Sequence, residues 1–172
     1  MNGPFSALAA RGILSMHTSF DPVLSCEAVL ASPGAQGWPA ANLALFVPFY
    51  VVVPMWLRRF WYISGNATGN IDIGIYRADG SLIVSTGATA QGTTNVLNFI
   101  DATDTLLRPG QKFLAMSCAS ASAGPFARIV NAEEQGVCQM AAAHALPATA
   151  TFARAGQQYI PYFGFSTLAA DL

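Results

Sequence analysis

Asn70 to Tyr76 alternates without a break, with Ile71, Ile73 and Ile75 on one side and Asn70, Asp72, Gly74 and Tyr76 on the other. That period of two predicts a half-buried antiparallel strand. Ala78-Asp79-Gly80-Ser81 then supplies turn chemistry ahead of Leu82-Ile83-Val84, so the two runs form a hairpin. Met55 to Ile63 is rich in aromatic and β-forming residues and predicts another strand. Strict alternation would place Met55, Leu57, Trp61 and Ile63 on its core side. Trp56, Arg58, Phe60 and Tyr62 would then share a contact face, and Arg58 and Arg59 would point to opposite sides. Asn95 to Ile100, Lys112 to Cys118, Phe126 to Val130, Gly136 to Met140 and Tyr159 to Ser166 continue the series. Arg108-Pro109-Gly110-Gln111 reads as a turn, because Pro presets φ and Gly accepts positive φ. Asp104 to Leu107 reads as a short helical turn before it. No long window repeats apolar residues at helical spacing. About eight short strands separated by turns predict an all-β fold, an antiparallel, jelly-roll-like β-sandwich with little or no helix.

The first part of the chain differs in composition. Residues 1–42 are rich in Ala, Ser, Pro and Gly, with strand-like pieces at Gly12 to His17 and Cys26 to Leu30. They are expected to form an extended arm or attachment segment, with the sandwich domain covering 43–172. Ala141 to Ala150 is an Ala-rich loop. From Gly34 to Leu57 there is no charged residue, but Pro48 and Pro54 interrupt the run. Each removes a backbone donor, and the uninterrupted pieces are far shorter than the ~20 residues a spanning helix needs. Buried strand and interface segment are therefore expected here, without membrane insertion. Met1 to Ala10 has no basic residue ahead of its short apolar patch, so no secretory signal is expected.

Composition sharpens this picture. Of the 172 residues, 53% are hydrophobic and 10% charged, with a mean hydropathy of +0.41. An ordinary soluble domain carries about 25% charged residues. Too few charges are present to coat a free particle, which predicts that other copies of the chain cover part of its surface. The net charge is −1, and the 8 basic residues form no cluster, so no nucleic-acid partner is expected. Three cysteines, Cys26, Cys118 and Cys138, suggest free thiols rather than a disulfide framework.

Candidate chemistry is sparse. The two histidines, His17 and His144, lie far apart, and no G-x-S-x-G elbow presents a nucleophile. Cys118 or Cys138 with His144 would make a nucleophile–base pair, although a buried thiol near an incidental histidine is far commoner. Asp101 and Asp104 would suit a calcium loop, but they equally terminate a strand and cap a turn. Asn66-Ala67-Thr68 fits the glycosylation sequon, and Glu133-Glu134 reads as a solvated loop. The expectation is a protein with no enzymatic activity and no cofactor. Its aromatic residues carry the interaction chemistry, with Phe46, Phe49, Tyr50, Trp56, Phe60 and Tyr62 at a subunit interface. The alternative is a carbohydrate-binding sandwich module that stacks sugars on exposed rings.

Several strings taken in order carry a family resemblance. They are Gly37-Trp38-Pro39-Ala40-Ala41-Asn42 leading into Leu45-Phe46-Val47-Pro48-Phe49, and Gly69 to Tyr76 followed by Asp79-Gly80 and Ser85-Thr86-Gly87. Leu107-Arg108-Pro109-Gly110 with Lys112 to Ala115, Leu146 to Ala150, and Ile160 to Gly164 complete the set. From about Gly37 onward the chain resembles small virion proteins of tailed bacteriophages, of the tail-fibre, head-fibre and capsid-decoration type. The resemblance implies a β-sandwich without catalytic residues, a homo-oligomer (commonly a trimer), and a place in a virion assembled in the host cytoplasm. Other virion proteins, and a host surface glycan, are the further partners it implies.

Overall fold

The computed structural model describes residues 19–20, 34–35, 37–122, 124–129, 136–156 and 159–167. Fourteen strands run in the order β1 (Ser19–Phe20), β2 (Gly34–Ala35), β3 (Ala44–Val51), β4 (Met55–Asn66), β5 (Asn70–Arg77), β6 (Leu82–Ser85) and β7 (Thr89–Ala90). They continue with β8 (Leu97–Leu107), β9 (Gly110–Cys118), β10 (Gly124–Ile129), β11 (Cys138–Met140), β12 (Ala153–Arg154), β13 (Tyr159–Pro161) and β14 (Phe163–Ser166). Among the described residues there is no helix, and all strand pairs are antiparallel. The expected all-β sandwich is the fold.

One sheet is centred on β4, whose twelve residues serve three partners. β8 pairs with it from Met55 to Ile63, β14 takes Arg59 to Tyr62 on the other edge, and β10 takes Ser64 and Asn66. β1 extends this sheet beyond β14, while β2 and β13 pair with β10. The other sheet has the order β12-β11-β3-β9-β5-β6, with β7 also on β5. Between the sheets lies the main core. Leu45, Val47, Phe49 and Val51 of β3, Ile71, Ile73 and Ile75 of β5, and Leu114, Met116 and Cys118 of β9 meet Leu57, Phe60 and Tyr62 of β4, Leu107, Phe163 and Phe165. The Phe49 and Phe165 rings bridge the two layers at 5.6 Å. Burying each large side chain of this kind contributes roughly 1.5–3 kcal/mol.

Simple alternation fails in two strands, for different reasons. β5 is buried on both sides: Asp72 and Tyr76 are as inaccessible as the isoleucines. The cover is the segment following β11, whose Ala143, Leu146, Ala150 and Phe152 pack with Ala44, Phe46, Tyr76, Phe113 and Ala115 in a second core outside the sheet. Phe152 meets Phe113 at 4.2 Å and Phe46 at 5.1 Å, and Phe46 stands edge-on to Tyr76 at 5.3 Å. The Ala-rich loop is thus a strap, and the half-buried strand is a fully buried one.

In β4 the core-facing parity switches. Met55 and Leu57 pack inward, then Phe60 and Tyr62 do. The ladder with β8 slips at this point: Leu57 faces Thr105 and Arg59 faces Asp101, so two residues of β4 oppose four of β8. Such a bulge changes which side later residues point to. Its effect is to keep both arginines out of the inter-sheet core, since Arg58 pairs with Asp104 and Arg59 lies over the Phe99 ring. The expectation that the arginines diverge, and that Trp61 shares a face with Leu57, is corrected accordingly. Trp61 is buried but belongs to neither core.

Smaller corrections concern boundaries. Asp104 to Leu107 is strand rather than helical turn, because Thr105, Leu106 and Leu107 pair with Leu57, Trp56 and Met55. The predicted final strand is two, β13 on β10 and β14 on β4, broken at Tyr162. Within residues 1–42, β1 and β2 join the sandwich and Trp38 sits in the main core, its indole N–H donating to the Leu43 carbonyl at 2.8 Å. The predicted pieces at Gly12 to His17 and Cys26 to Leu30 lie outside the described residues, as do Val130 and Glu133-Glu134.

Candidate interaction surface

β3 and β4 belong to different sheets, and only Val52, Val53 and Pro54 separate them. The return crossing from β8 to β9 uses Arg108 and Pro109, with Gly110 at φ 120° opening β9. Val51 pairs with Gly110 and Met55 with Leu107, so both crossings lie at the same end of the sandwich. That end is open and exposes a group of large apolar side chains beside Arg108 and Gln111. Tyr50 is 62% exposed, Val52 60%, Val53 54%, Trp56 49% and Leu106 39%.

Backbone parity decides how these side chains are arranged. Tyr50 lies between the inward-facing Phe49 and Val51, so it points out from the β3 sheet. Trp56 lies between Met55 and Leu57 and points out from the β4 sheet on the opposite side, next to its ladder partner Leu106. Val52 and Val53 form the tip between them. The result is a wedge with an aromatic residue on each flank. On the Trp56 flank, Arg58 Nη1 donates to Asp104 Oδ2 at 2.5 Å. A surface pair of this kind is worth about 0–1 kcal/mol.

Of the six residues expected at an interface, the structure brings Tyr50 and Trp56 to this end. The other four are corrected: Phe46, Phe49, Phe60 and Tyr62 are buried within the chain, in the strap core or between the sheets. Parity accounts for Phe49, the bulge for Phe60 and Tyr62, and the strap for Phe46. Tyr62 also accepts a hydrogen bond from the Gly92 N–H at 2.7 Å, and burial pushes its phenol pKa up. Sequence reasoning missed Val52, Val53 and Leu106. Val52 and Val53 immediately precede Pro54 in the uncharged run, and that is the signal that was available for them.

The second polar constellation sits under the strap. Asp72 Oδ2 accepts the Leu146 N–H at 2.9 Å and Oδ1 accepts the Thr86 hydroxyl at 3.1 Å. Ser117, which faces Asp72 in the ladder, shares a 3.0 Å hydrogen bond with His144 Nδ1. The Tyr76 hydroxyl donates to the Pro147 carbonyl at 2.7 Å. Desolvation raises the Asp72 pKa, and its hydrogen bonds and the nearby imidazole only partly offset this. Serine, histidine and aspartate meet here, yet Ser117 has no exposed surface and both Asp72 oxygens hold other groups. The cluster fastens the strap.

The thiols are separated from this cluster. Cys118 lies in the inter-sheet core, where burial pushes its pKa far up, and Cys138 packs at the edge of the strap core with its thiol directed at the Gly136 carbonyl. Both are free. Asp101 and Asp104, weighed as a calcium pair, are strand residues that face different arginines, Arg59 and Arg58. Among the described residues no group of three potential metal ligands is brought together, and no helix is long and apolar enough to cross a membrane. Comparison with family models, with curated proteins and with solved structures gives no match.

Proposed function

We propose that this chain is a non-enzymatic structural subunit of a symmetric assembly, a homotrimeric fibre, spike or decoration protein on the head or tail of a tailed-phage virion. The observation that carries the assembly reading is the open apolar wedge at Tyr50, Val52, Val53, Trp56 and Leu106, on a chain with only 10% charged residues. Contiguous exposed apolar surface rimmed by polar groups marks an interaction site. The virion setting rests on the ordered motifs from Gly37 to Gly164, and with it come other virion proteins as partners. Native mass spectrometry of the purified full chain tests the proposal. A homo-oligomer, a trimer in the first instance, is the expected species, and a monomer at micromolar concentration overturns it.

One observation favours a second reading. The half-exposed Trp56 ring lies beside the Arg58–Asp104 pair, and a flat ring next to hydrogen-bonding groups suits a sugar that offers one apolar face. A glycan array probed with wild-type protein and with Trp56→Ala separates the two. Ligands lost in the variant would support sugar binding at this site.

A further inference from the structure

Among the described residues, no charged side chain is more deeply buried than Asp72, at 1% exposed. Alternation along β5 sends Ile71 and Ile73 into the inter-sheet core and turns Asp72 to the outer side. What takes it out of water there is the strap. The Leu146 N–H donates to Asp72 Oδ2 at 2.9 Å, and the Leu146 side chain lies over Gly74, where a β-carbon would stand 3.0 Å from its Cδ1. Around the carboxylate are the hydroxyls of Thr86, Ser85 and Ser117, the His144 imidazole on the strap and the Tyr76 phenol on the same strand. Among the described residues no arginine or lysine is set against it. Burial favours the neutral acid in that setting, and it outweighs the hydrogen bonds and the imidazole, which favour the ionised form.

The strap is lightly held. Met140 before it stays in the β3 ladder, and Ala153 after it pairs with Gln139. Between them Leu146 and Phe152 carry most of the apolar bulk, and the rest is Ala-rich backbone that regains conformational freedom when it lifts. Its backbone bonds to the sheet run from Ala143 to Asn42, from Ala150 to Gly80 and from Leu82 to Ala148. None of these is part of the β3–β9–β5 ladders, and no residue of the inter-sheet core lies on the strap. The strap can therefore leave while both sheets and the main core stay assembled.

We infer that residues 141–152 are a proton-linked cover: they lift from the outer face of β3, β9 and β5 as one unit, the sandwich stays folded, and Asp72 releases a proton as it meets water. The direction follows from linkage. The closed state holds the proton more tightly than the open one, so closure is favoured at low pH and weakens as pH rises through the closed-state value. Lifting bares Phe46, Tyr76 and Phe113, so an apolar face concealed in acid is uncovered more often as pH rises. The inference does not depend on the assembly reading.

Amide hydrogen exchange of the full-length protein between about pH 4 and pH 8, corrected for intrinsic rates, is the test. The N–H groups of Leu146, Ala150 and Leu82 report the strap, since each bonds across its contact with the sheet, and the β9 amides report the sandwich. The three strap reporters are expected to exchange together and faster than β9. Their opening constant should rise by up to about tenfold per pH unit between the open-state and closed-state Asp72 values. In Asp72→Asn that rise should vanish while the reporters stay faster than β9. In His144→Gln it should persist, because the proton sits on the carboxylate. Strap reporters that exchange at the β9 rate would overturn the separate unit. A separate opening without pH dependence in the wild type would overturn the proton linkage, whatever the variants do. A rise that survives Asp72→Asn, or disappears in His144→Gln, would take the proton away from Asp72 and overturn its role.

Discussion

On the outer side of β3, β5 and β9, Phe46, Tyr76 and Phe113 are covered by the strap of the same chain, while on the outer side of β4 and β8, Trp56 and Leu106 face solvent. Both are sheet surfaces studded with large apolar groups. They differ in how the chain treats the backbone nearby. Over the first surface the strap is fastened by specific polar bonds, from Leu146 to Asp72, from Tyr76 to Pro147, from Leu82 to Ala148 and from Ala150 to Gly80. Over the second, the polar groups include two arginine–aspartate pairs, Arg58–Asp104 and Arg59–Asp101, and no strap among the described residues. The lesson is that exposed apolar area alone does not distinguish a core face from a contact face. What distinguishes them is whether the chain provides a cover with its own hydrogen bonds satisfied.

This contrast can be broken at several points. The largest effect is expected from Phe46→Ala, which empties the centre of the strap core. It should destabilise the protein by about 3–5 kcal/mol in urea unfolding, in the range for losing a buried phenylalanine. Next comes Gly80→Ala. A β-carbon there would lie 2.3 Å from the Ala150 carbonyl oxygen, at a φ of +87°. The turn and the strap cannot both keep their positions, and a loss of roughly 2 kcal/mol is expected.

Asp72→Asn sharpens the comparison through pH. The folded state raises the Asp72 pKa, chiefly by desolvation, so it holds the proton more tightly than the unfolded chain does. Stability from this group is therefore greatest below the ordinary aspartate range and is lost as pH rises through the folded value. An asparagine can still accept the Leu146 N–H through its carbonyl. Its amide can donate to Thr86 Oγ, whose own proton then goes to the Gly87 carbonyl 3.0 Å away. The variant should be at least as stable as wild type at pH 7, and the difference between the two melting curves should shrink as pH falls towards 4. A difference independent of pH would contradict this. The smallest effect belongs to the open side. Trp56→Ala should cost the isolated chain less than about 1 kcal/mol, because half of the ring is already in water, and dilute thermal melts measure it.

Much of the sandwich was legible from period-two patterning. The β5–β6 hairpin, the β9 strand and the turn before it stand where the residues put them, since Gly80 and Gly110 adopt the positive φ their positions need. Three things were hidden. The parity switch in β4 coincides with its register shift against β8, a feature of the pairing of which the Met55–Ile63 string carries no sign. The strap is a run of small residues whose role depends on what lies beneath, and Ala143 or Ala150 in isolation reads as loop. Asp104 to Leu107 has the composition of a turn, and only pairing with β4 holds it extended. At the wedge, Tyr50 and Trp56 were legible as aromatics on an uncharged run. Their neighbours Phe46 and Phe49 carried the same signal and went inside, because hydrophobicity does not reveal which side of a sheet a covering segment will take.

The ladder between β3 and β9 has a consequence for how the protein comes into being. Leu45 pairs with Met116 and Val51 with Gly110, so β3 leaves the ribosome well before its partner exists. At roughly 5–20 residues per second the wait lasts seconds, long compared with hydrophobic collapse. Throughout it, an uncharged strand rich in Leu, Phe and Val has no edge to join. Synthesis of this chain should therefore be more sensitive to temperature and to chaperone supply than its finished sandwich is, with the newborn β3 segment as the point of vulnerability.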